Sequence, residues 1–329
     1  MRLKPSLEEI YGPIQEELNQ VEGTILDILT TSNELSREVI RYFFTNKGKY
    51  LRPALSLFGS AFTMQRDLMK PAIPVAAAYE IFHAATLIHD DIVDSAYLRR
   101  NMPTVNVKWG AQVAVLVGDF LHDRALATFF NTKNERVISL FLNTACEVCD
   151  GEILEFKEKD NFSLKEEVYL EIIQKKTASL LSACVESGAM LGNLPLEETL
   201  ALKNFGLYLG MAFQIVDDCL DFTGDPQLFG KTLGSDCDAG VLTLPLIRLF
   251  SLVSEAKKSE LFQIFKSTLG EEKLVYLKNL IMEYSAIDYS LDKARAYTDL
   301  ALLELHTLAR SPARRSLEML LDYIVERSR

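Results

Sequence analysis

The chain has 329 residues, a formal net charge of −11 and 48% hydrophobic residues. The acidic balance argues against nucleic-acid binding, and the hydrophobic content is sufficient for a large core. Length alone favours about two domains, but the two acidic motifs described below need both halves of the chain at one site. We therefore predict a single domain over 1–329.

Helical periodicity dominates the sequence from the N-terminus onward. With 16 glycines and 10 prolines, the composition allows long helices, and few segments alternate with period two. The predicted fold class is all-α, a single large helical bundle, and bundles of this size can enclose an apolar cavity. The predicted helices cover roughly 7–30, 34–46, 51–63, 71–95, 110–130, 135–157, 165–190, 197–222 and 241–254, with more towards the C-terminus.

The sequence gives little indication of a membrane or secretory protein. No uninterrupted apolar run reaches membrane-spanning length. The residues from Met1 to Pro5 lack the apolar core of a signal peptide. We therefore expect no transmembrane segment and a cytoplasmic location.

A five-residue acidic pattern occurs twice, each time after an apolar, helix-like run. The copies are Asp90-Asp91-Ile92-Val93-Asp94 and Asp217-Asp218-Cys219-Leu220-Asp221. The outer carboxylates of each copy share a helix face because they are four residues apart. Carboxylates in one pocket repel each other unless a divalent cation binds them, and Mg²⁺ typically binds one or two carboxylates plus substrate phosphates. One copy alone could be a solvated helix end, but two copies predict a Mg²⁺-diphosphate site between two helices.

Basic residues cluster in two places in this acidic chain, at 47–52 and at Arg99-Arg100. The second cluster lies five residues after Asp94, so its arginines could simply neutralise neighbouring carboxylates. However, the planar guanidinium group also fits phosphate oxygens, and a site for two diphosphates needs cations besides its metals. His83 lies seven residues before Asp90, two helical turns along the same face. This register favours an anion site over the alternative, a core histidine bonded to a carbonyl group.

In their order and spacing, these segments resemble the trans-type isoprenyl (polyprenyl) diphosphate synthases of the medium- to long-chain type, over most of the chain. One acidic motif is weak evidence, whereas the ordered set is very specific. The matching segments are Gly48 to Pro53, Glu80 to His83, Leu87 to Asp94, Arg99-Arg100 with Pro103-Thr104, Gly118-Asp119, Lys176 to Ala178, Phe213 to Ile215, Asp217 to Asp221, and Gly230-Lys231 through Gly234, Asp236, Thr243 and Pro245.

The resemblance implies the isoprenoid synthase fold, an all-α bundle around a deep central cavity, commonly in a homodimer. It also implies a Mg²⁺-dependent transferase that adds isopentenyl diphosphate units head-to-tail to an allylic diphosphate. In that family the allylic diphosphate group leaves, isopentenyl diphosphate attacks the resulting cation, and loss of a proton gives a product one isoprene unit longer. Such chemistry requires an apolar, closable cavity, because the cation must meet the alkene before it meets water.

The resemblance also implies a role for each acidic-motif residue and its neighbours. The expected direct Mg²⁺ ligands are Asp90, Asp94 and Asp217. The residues expected to ligate or support them are Asp91, Asp218 and Asp221. His89, beside the first motif, is expected to support a metal ligand or to pair with the backbone.

The substrate-binding residues implied by the resemblance form two sets. The allylic diphosphate is expected to bind Arg99, Lys176 and Lys231, with oxygen dipoles from Thr177 and Gln214 near the developing cation. Isopentenyl diphosphate is expected to bind Lys49, Arg52, His83 and Arg100. Lys49 and Arg52 are three residues apart, which would place them next to each other at a helix start.

One loop and three substitutions bear on activity. The stretch 224–240 is expected to be a mobile loop that closes over bound diphosphate, with an ordinary surface loop as the alternative. Val241 stands where the family usually has a lysine, Glu155 where it often has glutamine, and Tyr50 where arginine is common. A lost cation and a gained carboxylate weaken the positive field at the diphosphate site. We expect reduced affinity or rate, not loss of activity.

Two other functions fit part of this pattern. A catalytically weak or silent regulatory subunit of a heteromeric prenyl synthase would tolerate these substitutions, but it should have lost metal ligands. All six motif aspartates are present. A terpene cyclase also ionises allylic diphosphates, but it needs no second diphosphate site.

Product length is predicted from the residues that precede the first acidic motif. In the resembling family, bulky aromatic residues four or five positions before that motif stop the growing chain. Here those positions hold Thr86 and Ala85, next to Ala84. Small residues leave the path open, or else merely permit close helix packing. We expect a medium- to long-chain product, with Phe129 or Phe130 on the following helix as a lower barrier.

Overall fold

The structure is a computed structural model. It describes residues 5–46, 48–63, 65–224, 234, 237, 239–265 and 271–326, with the side chains of residues 271 and 273 excepted. Regular structure in these ranges is almost entirely helical, which confirms the predicted all-α class.

The helices of the first half of the chain include the long helix that carries the first acidic motif. They are α1 (Leu7–Tyr11), a 3₁₀ turn (Gly12–Ile14), α2 (Gln15–Ile28), α3 (Glu34–Thr45), α4 (Leu51–Ser60), a 3₁₀ turn (Arg66–Met69), α5 (Ala72–Val93), α6 (Val105–Trp109), α7 (Ala111–Asn131) and α8 (Glu135–Lys157).

The helices of the second half include the long helix that carries the second acidic motif. They are α9 (Glu166–Ile173), a π-helical turn (Gln174–Ala178), α10 (Ser179–Leu191), α11 (Leu196–Thr223), α12 (Leu244–Leu252), α13 (Glu255–Phe265), α14 (Glu271–Glu283), α15 (Ala286–His306) and α16 (Pro312–Glu326).

The helix boundaries follow local chemistry. Asn134 caps α8, because its side-chain oxygen accepts hydrogen bonds from the backbone N–H groups of Arg136 and Val137. The predicted helix over 7–30 is interrupted, since Pro13 has no N–H to continue α1 and a 3₁₀ turn follows. The predicted helix over 165–190 contains the π-helical turn, which hydrophobic periodicity does not signal.

A short β-hairpin follows α5 and was not predicted from the sequence. Its strands, β1 (Leu98–Arg99) and β2 (Met102–Pro103), are antiparallel. The two residues between them, Arg100 and Asn101, have φ of 52° and 62°. Left-handed conformations at both central positions suit a tight hairpin turn. The hairpin places Arg99 and Arg100 beside the end of α5.

The helices α5, α10 and α11 lie at the centre of the bundle. Helix α5 packs on α4 and α7, α10 packs between α4 and α11, and α11 packs on α15. The backbones of α4 and α10 come very close, because a Cβ atom at Gly188 would lie 1.9 Å from the carbonyl oxygen of Ser56. This crossing fixes α4, and hence Arg52 at its start, against the centre of the bundle.

The segment 66–93, which comprises the second 3₁₀ turn and α5, is long and apolar enough by composition to cross a membrane. The core helix of a soluble bundle passes the same test, and 67% of the apolar window is buried inside the structure. The absence of a transmembrane segment therefore stays a prediction.

Candidate active site

The first acidic motif forms the last turn of α5 and anchors the hairpin. Arg99 donates to Asp91 from Nε, at 3.0 Å to each carboxylate oxygen, and from Nη2 at 2.8 Å. Asp91 is only 2% exposed. Asp90 and Asp94 are four residues apart and so share a face of the helix that Asp91 does not, and Asp94 accepts a hydrogen bond from Lys159 at 3.0 Å. Asp91 therefore supports the motif through Arg99, an arginine expected to bind the allylic diphosphate.

The second acidic motif, on α11, likewise combines a buried, hydrogen-bonded aspartate with a more exposed one. Asp218 is buried and accepts hydrogen bonds from Tyr169 at 2.6 Å and from Gln214 at 2.7 Å. The hydroxyl of Thr177 in turn donates to the side-chain oxygen of Gln214 at 2.9 Å. Asp218 thus holds the predicted pair of Thr177 and Gln214 in place. Asp217 is more exposed than Asp218.

Lys176 lies in the π-helical turn between α9 and α10. Such turns are frequent at functional sites. Gly151 on α8 lets this turn approach, because a Cβ atom there would lie 2.6 Å from the backbone N of Lys176. As a result, Lys176 Nζ lies 2.5 Å from Glu155 Oε2 and 2.9 Å from Glu152 Oε2. The carboxylate of Glu155 therefore directly contacts Lys176, a residue predicted to bind the allylic diphosphate.

Burial and charge shift the pKa values of this group. Desolvation raises the pKa of Asp90 to about 6, although Lys176 and Arg99 lower it. Desolvation likewise raises the pKa of Glu152 to about 7 against the opposing effect of Lys176. Burial lowers the pKa of Lys176, but Glu155, Glu152 and Asp90 outweigh burial and raise it. Lys176 thus stays protonated, and several carboxylates compete for its single charge.

A second cationic group contains His83 from the middle of α5, Arg52 from the start of α4 and Arg100 from the hairpin turn. Burial lowers the pKa of Arg52, while Glu80 and Asp217 raise it. Burial lowers the pKa of His83 well below its ordinary value, and the three nearby arginines lower it further. His83 is therefore neutral near pH 7. The structure brings together three of the four residues predicted to bind isopentenyl diphosphate.

The geometry of this group is suited to an anion. The Nε atom of Arg52 is buried and makes no hydrogen bond to any residue that the structure describes. Arg100 donates from Nη1 to the carbonyl oxygen of Asn46 at 2.5 Å. Gly48 allows this approach, since a Cβ atom there would lie 2.9 Å from Arg100 Nη2.

Glu80 belongs to the same group, although no site role was predicted for it from the sequence. Burial raises its carboxyl pKa more than Arg52 and Arg100 lower it. A signal was present, since Glu80 lies three residues before His83, on the same helix face, within an otherwise apolar run. Glu80 balances the charge of the two arginines.

Lys49 precedes helix α4. Helix α4 begins at Leu51, and Tyr50 before it has a left-handed φ of 49°. The helical spacing expected to place Lys49 beside Arg52 therefore does not apply, because Lys49 precedes the helix, and its role at isopentenyl diphosphate stays a prediction. Lys49 is exposed, and its Nζ lies 5.7 Å from the centre of the Tyr323 ring.

Much of the predicted mobile loop lies outside the described residues. This applies to 225–233, 235, 236 and 238. Lys231 is among them. Its role at the allylic diphosphate and the closure of the loop stay predictions.

The carboxylates fit a hard divalent cation in donor type. Asp90, Asp94 and Asp217 offer only oxygen atoms, and the raised pKa of Asp90 indicates a carboxylate that a nearby cation would stabilise. Within the described part of the chain, no group of three or more His, Cys, Asp or Glu side chains is arranged to hold a metal by itself. Mg²⁺ commonly combines one or two carboxylates with substrate phosphates, so the substrate would complete such a site.

Comparison with known proteins identifies the family. Residues 33–281 match the family model of the polyprenyl synthetases. The chain belongs to this family.

Relatives and solved structures agree with this assignment. The chain is 35% identical over 324 residues to a short chain isoprenyl diphosphate synthase from Methanothermobacter thermautotrophicus, which covers 92% of this chain and 98% of the relative. It is 35% identical over 321 residues to heptaprenyl diphosphate synthase component 2 from Geobacillus stearothermophilus, with 98% and 99% covered. A crystal structure of polyprenyl synthase from Caulobacter crescentus, complexed with calcium and isoprenyl diphosphate, matches with a TM-score of 0.93 at 30% identity over 99% of both chains.

The predicted fold, enzyme class and reaction type are confirmed. This polyprenyl synthetase is a prenyltransferase of the head-to-tail type, from a family that depends on divalent metal ions and uses isopentenyl and allylic diphosphates. Neither a silent regulatory subunit nor a terpene cyclase finds support among these relatives.

Aromatic side chains of this polyprenyl synthetase meet between α5, α7 and α8. This aromatic cluster consists of Tyr79, Phe82, Phe129 and Phe141. The rings of Phe129 and Phe141 stack with centroids 3.9 Å apart, and Tyr79 meets Phe129 edge-on at 4.9 Å. Phe82 meets Phe141 edge-on at 5.2 Å. Of the two predicted barrier residues, only Phe129 lies in the cluster, because Phe130 is 54% exposed.

His89 pairs with the backbone, as predicted. Its Nε2 lies 3.3 Å from the carbonyl oxygen of Val115. Gly118 on α7 provides the space, since a Cβ atom there would lie 2.2 Å from that nitrogen. This contact fixes α7 against the end of α5.

Proposed function

We propose that this polyprenyl synthetase uses Mg²⁺ to elongate an allylic diphosphate with isopentenyl diphosphate to a medium- or long-chain all-trans polyprenyl diphosphate. The observation that carries the proposal is the arrangement along α5. His83, in the Arg52 group, and Asp90, beside Lys176, lie on one face of this helix, about 10.5 Å apart along its axis. Two anion-binding groups so placed are suited to two diphosphates whose reacting carbons meet between them.

In the proposed site, Asp90, Asp94 and Asp217 hold Mg²⁺. When bound, the metal stabilises the negative charge of the departing diphosphate. Asp91 and Asp218 do not need to bind it, because Arg99 and Tyr169 engage them. Asp221 is also buried, at 6% exposed, and is proposed to support the metal ligands in the same way.

The side chains around the metals bind and orient the two substrates. Lys176 holds the allylic diphosphate after exchanging Glu155 for a phosphate oxygen, and Lys231 is proposed to assist. Arg52 and Arg100 hold isopentenyl diphosphate, with neutral His83 as a hydrogen-bond donor, and Lys49 is proposed to assist them. The linked side chains of Thr177 and Gln214 direct oxygen atoms towards the developing allylic cation.

The growing chain is proposed to extend along α5, away from the acidic motif, in a deep apolar cavity within a single catalytic domain. Thr86 lies one turn below Asp90 on the same face, and its small side chain leaves the path open. Tyr79 lies about three turns, or 16.5 Å, below Asp90 on that face. Its hydroxyl is fixed by Ser187 at 2.7 Å. The aromatic cluster around Tyr79 is therefore the proposed floor, which lies well beyond the position that limits short products.

A homodimer in the cytoplasm is part of the proposal. Helices α7 and α8 expose large apolar side chains at Leu116, Ile153 and Phe156, and such patches favour a protein–protein contact. Sedimentation of the purified enzyme tests the dimer. A cytoplasmic location suits two charged, water-soluble substrates.

The proposed function is tested by product analysis. Purified enzyme is incubated with Mg²⁺, labelled geranyl or farnesyl diphosphate and isopentenyl diphosphate, and the labelled products are separated by chain length. We expect products several isoprene units longer than farnesyl diphosphate. Products that stop at farnesyl diphosphate would contradict the open path along α5, and cyclised or unchanged label would contradict elongation itself.

A further inference from the structure

Gly240 packs against the turn that follows α8. The backbone N–H of Asp160 donates to the carbonyl oxygen of Gly240 at 2.9 Å. Gly240 has a left-handed φ of 75°, and a Cβ atom there would lie 2.6 Å from Asp160 Oδ1. Lys159 and Val241 are each one residue away from this contact.

The side chain of Lys159 is directed towards the first acidic motif. Its Nζ lies 3.0 Å from Asp94 Oδ1, and the side chain is 18% exposed. Lys157, two residues earlier, is 74% exposed. Lysines normally keep the ammonium group in water, so the inward placement of Lys159 sets it apart from its neighbour.

The other described cations expected at the allylic diphosphate are engaged by carboxylates. Lys176 contacts Glu152 and Glu155, and Arg99 is paired with Asp91. Position 241 carries no charge, because it is valine. The partner of Lys159 is different from these carboxylates, because Asp94 is itself a proposed Mg²⁺ ligand. With Asp94 engaged by a metal ion, a diphosphate bound at the acidic motifs would offer the ammonium group of Lys159 another anion.

We propose that Lys159 is a diphosphate-binding residue that supplies the positive charge missing at position 241. The assignment rests on the proposed function, because it places the allylic diphosphate at the acidic motifs. In the free enzyme the ion pair with Asp94 keeps the ammonium group at the site. On substrate binding, the ammonium group moves from this carboxylate to a diphosphate oxygen. Lys159 and residue 241 each adjoin one partner of the Asp160–Gly240 contact.

The first test measures binding of geranyl S-thiolodiphosphate, an unreactive allylic analogue, by titration calorimetry in the presence of Mg²⁺. Lys159→Ala should raise its Kd by about tenfold to a hundredfold, the effect of losing one charge-assisted hydrogen bond. The matched control, Lys157→Ala, should stay within about twofold of the unmodified enzyme, because exposed charges contribute little. The KM for isopentenyl diphosphate should not change in either variant.

If Lys159 merely neutralised Asp94, its removal would not raise the Kd of the analogue. Its removal would free Asp94 for Mg²⁺, so the Kd of the analogue would fall or stay the same, and either outcome overturns the proposal. Equal losses for both substrates overturn it as well, since they indicate a general structural role. Lys159→Met, which keeps the aliphatic part of the side chain, replaces the alanine variant if that variant does not fold.

The second test is rescue. Val241→Lys in the Lys159→Ala enzyme should restore the Kd to within about threefold of the unmodified enzyme, because the new lysine returns the charge to the same site. Failure to restore binding overturns the claim that the two positions substitute for each other. The two proposals fail separately: an unmodified enzyme that elongates no substrate refutes the proposed function. An active enzyme whose Lys159→Ala variant binds normally refutes only the role of Lys159.

Discussion

Replacing Glu155 with glutamine should tighten binding of the allylic diphosphate. Glu155 Oε2 lies 2.5 Å from Lys176 Nζ, and less than a third of either side chain is exposed. An incoming diphosphate must therefore compete with this carboxylate for the lysine. Glutamine keeps the size and a hydrogen-bond acceptor but removes the charge. Lys176 keeps its charge and its contact with Glu152, but one of its two ion pairs becomes a hydrogen bond to a neutral amide. Hydrogen bonds to charged groups contribute about 1.5–3 kcal/mol, and weakening the competing contact by about 1.4 kcal/mol corresponds to roughly tenfold in affinity.

Steady-state kinetics at saturating isopentenyl diphosphate and Mg²⁺ provide the assay. The KM for geranyl diphosphate should fall about tenfold in Glu155→Gln. Glu147→Gln is the matched control, because Glu147 is an exposed acid on the same helix and loses the same charge. An unchanged or higher KM in Glu155→Gln would refute the argument that this carboxylate competes with the substrate, as would an equal fall in the control.

Three further predictions follow from the site, the cavity and the pKa shifts. Arg52→Ala should raise the KM for isopentenyl diphosphate by about tenfold to a hundredfold, and an effect on the allylic substrate alone would overturn the assignment of Arg52. Thr86→Phe should shorten the product and Phe129→Leu should lengthen it, while Phe130→Ala leaves it unchanged; unaltered chain lengths in the first two variants would exclude this path. The native pKa of Glu152, about 7, lies above its ordinary 4.5, so the native state binds more protons than the unfolded state between these values and stability falls as pH rises through them. Denaturant midpoints measured from pH 4.5 to 7 should decline less in Glu152→Gln, and an equal decline in both proteins would contradict the shift.

Helical periodicity and the repeated acidic motif were sufficient to predict much of this protein. The sequence predicts helices at 34–46 and 135–157, and the structure has α3 at Glu34–Thr45 and α8 at Glu135–Lys157. The four-residue and seven-residue spacings on α5 were equally informative, because helix geometry alone puts His83 and Asp90 on one face.

Helical periodicity and motif spacing do not predict which charged side chains pair with each other. Glu155 and Lys176 are 21 residues apart in the chain, and Lys159 and Asp94 are 65 apart. Which residues meet across these separations depends on how closely helices cross, as at Gly151. The position of Lys49 depended on the left-handed backbone of Tyr50, which nothing in its local sequence requires. The hairpin after α5 is too short to show a period of two.

The central claim is that the two acidic motifs serve one site, and turnover in a double-mutant cycle tests it most directly. Asp90→Ala and Asp217→Ala should each reduce kcat by about a hundredfold or more, since each removes stabilisation of the departing diphosphate. If the two residues act as a unit, the double variant should be no slower than the slower single variant. Near-normal turnover in either single variant at saturating Mg²⁺, or a double loss equal to the product of the single losses, would contradict a shared site.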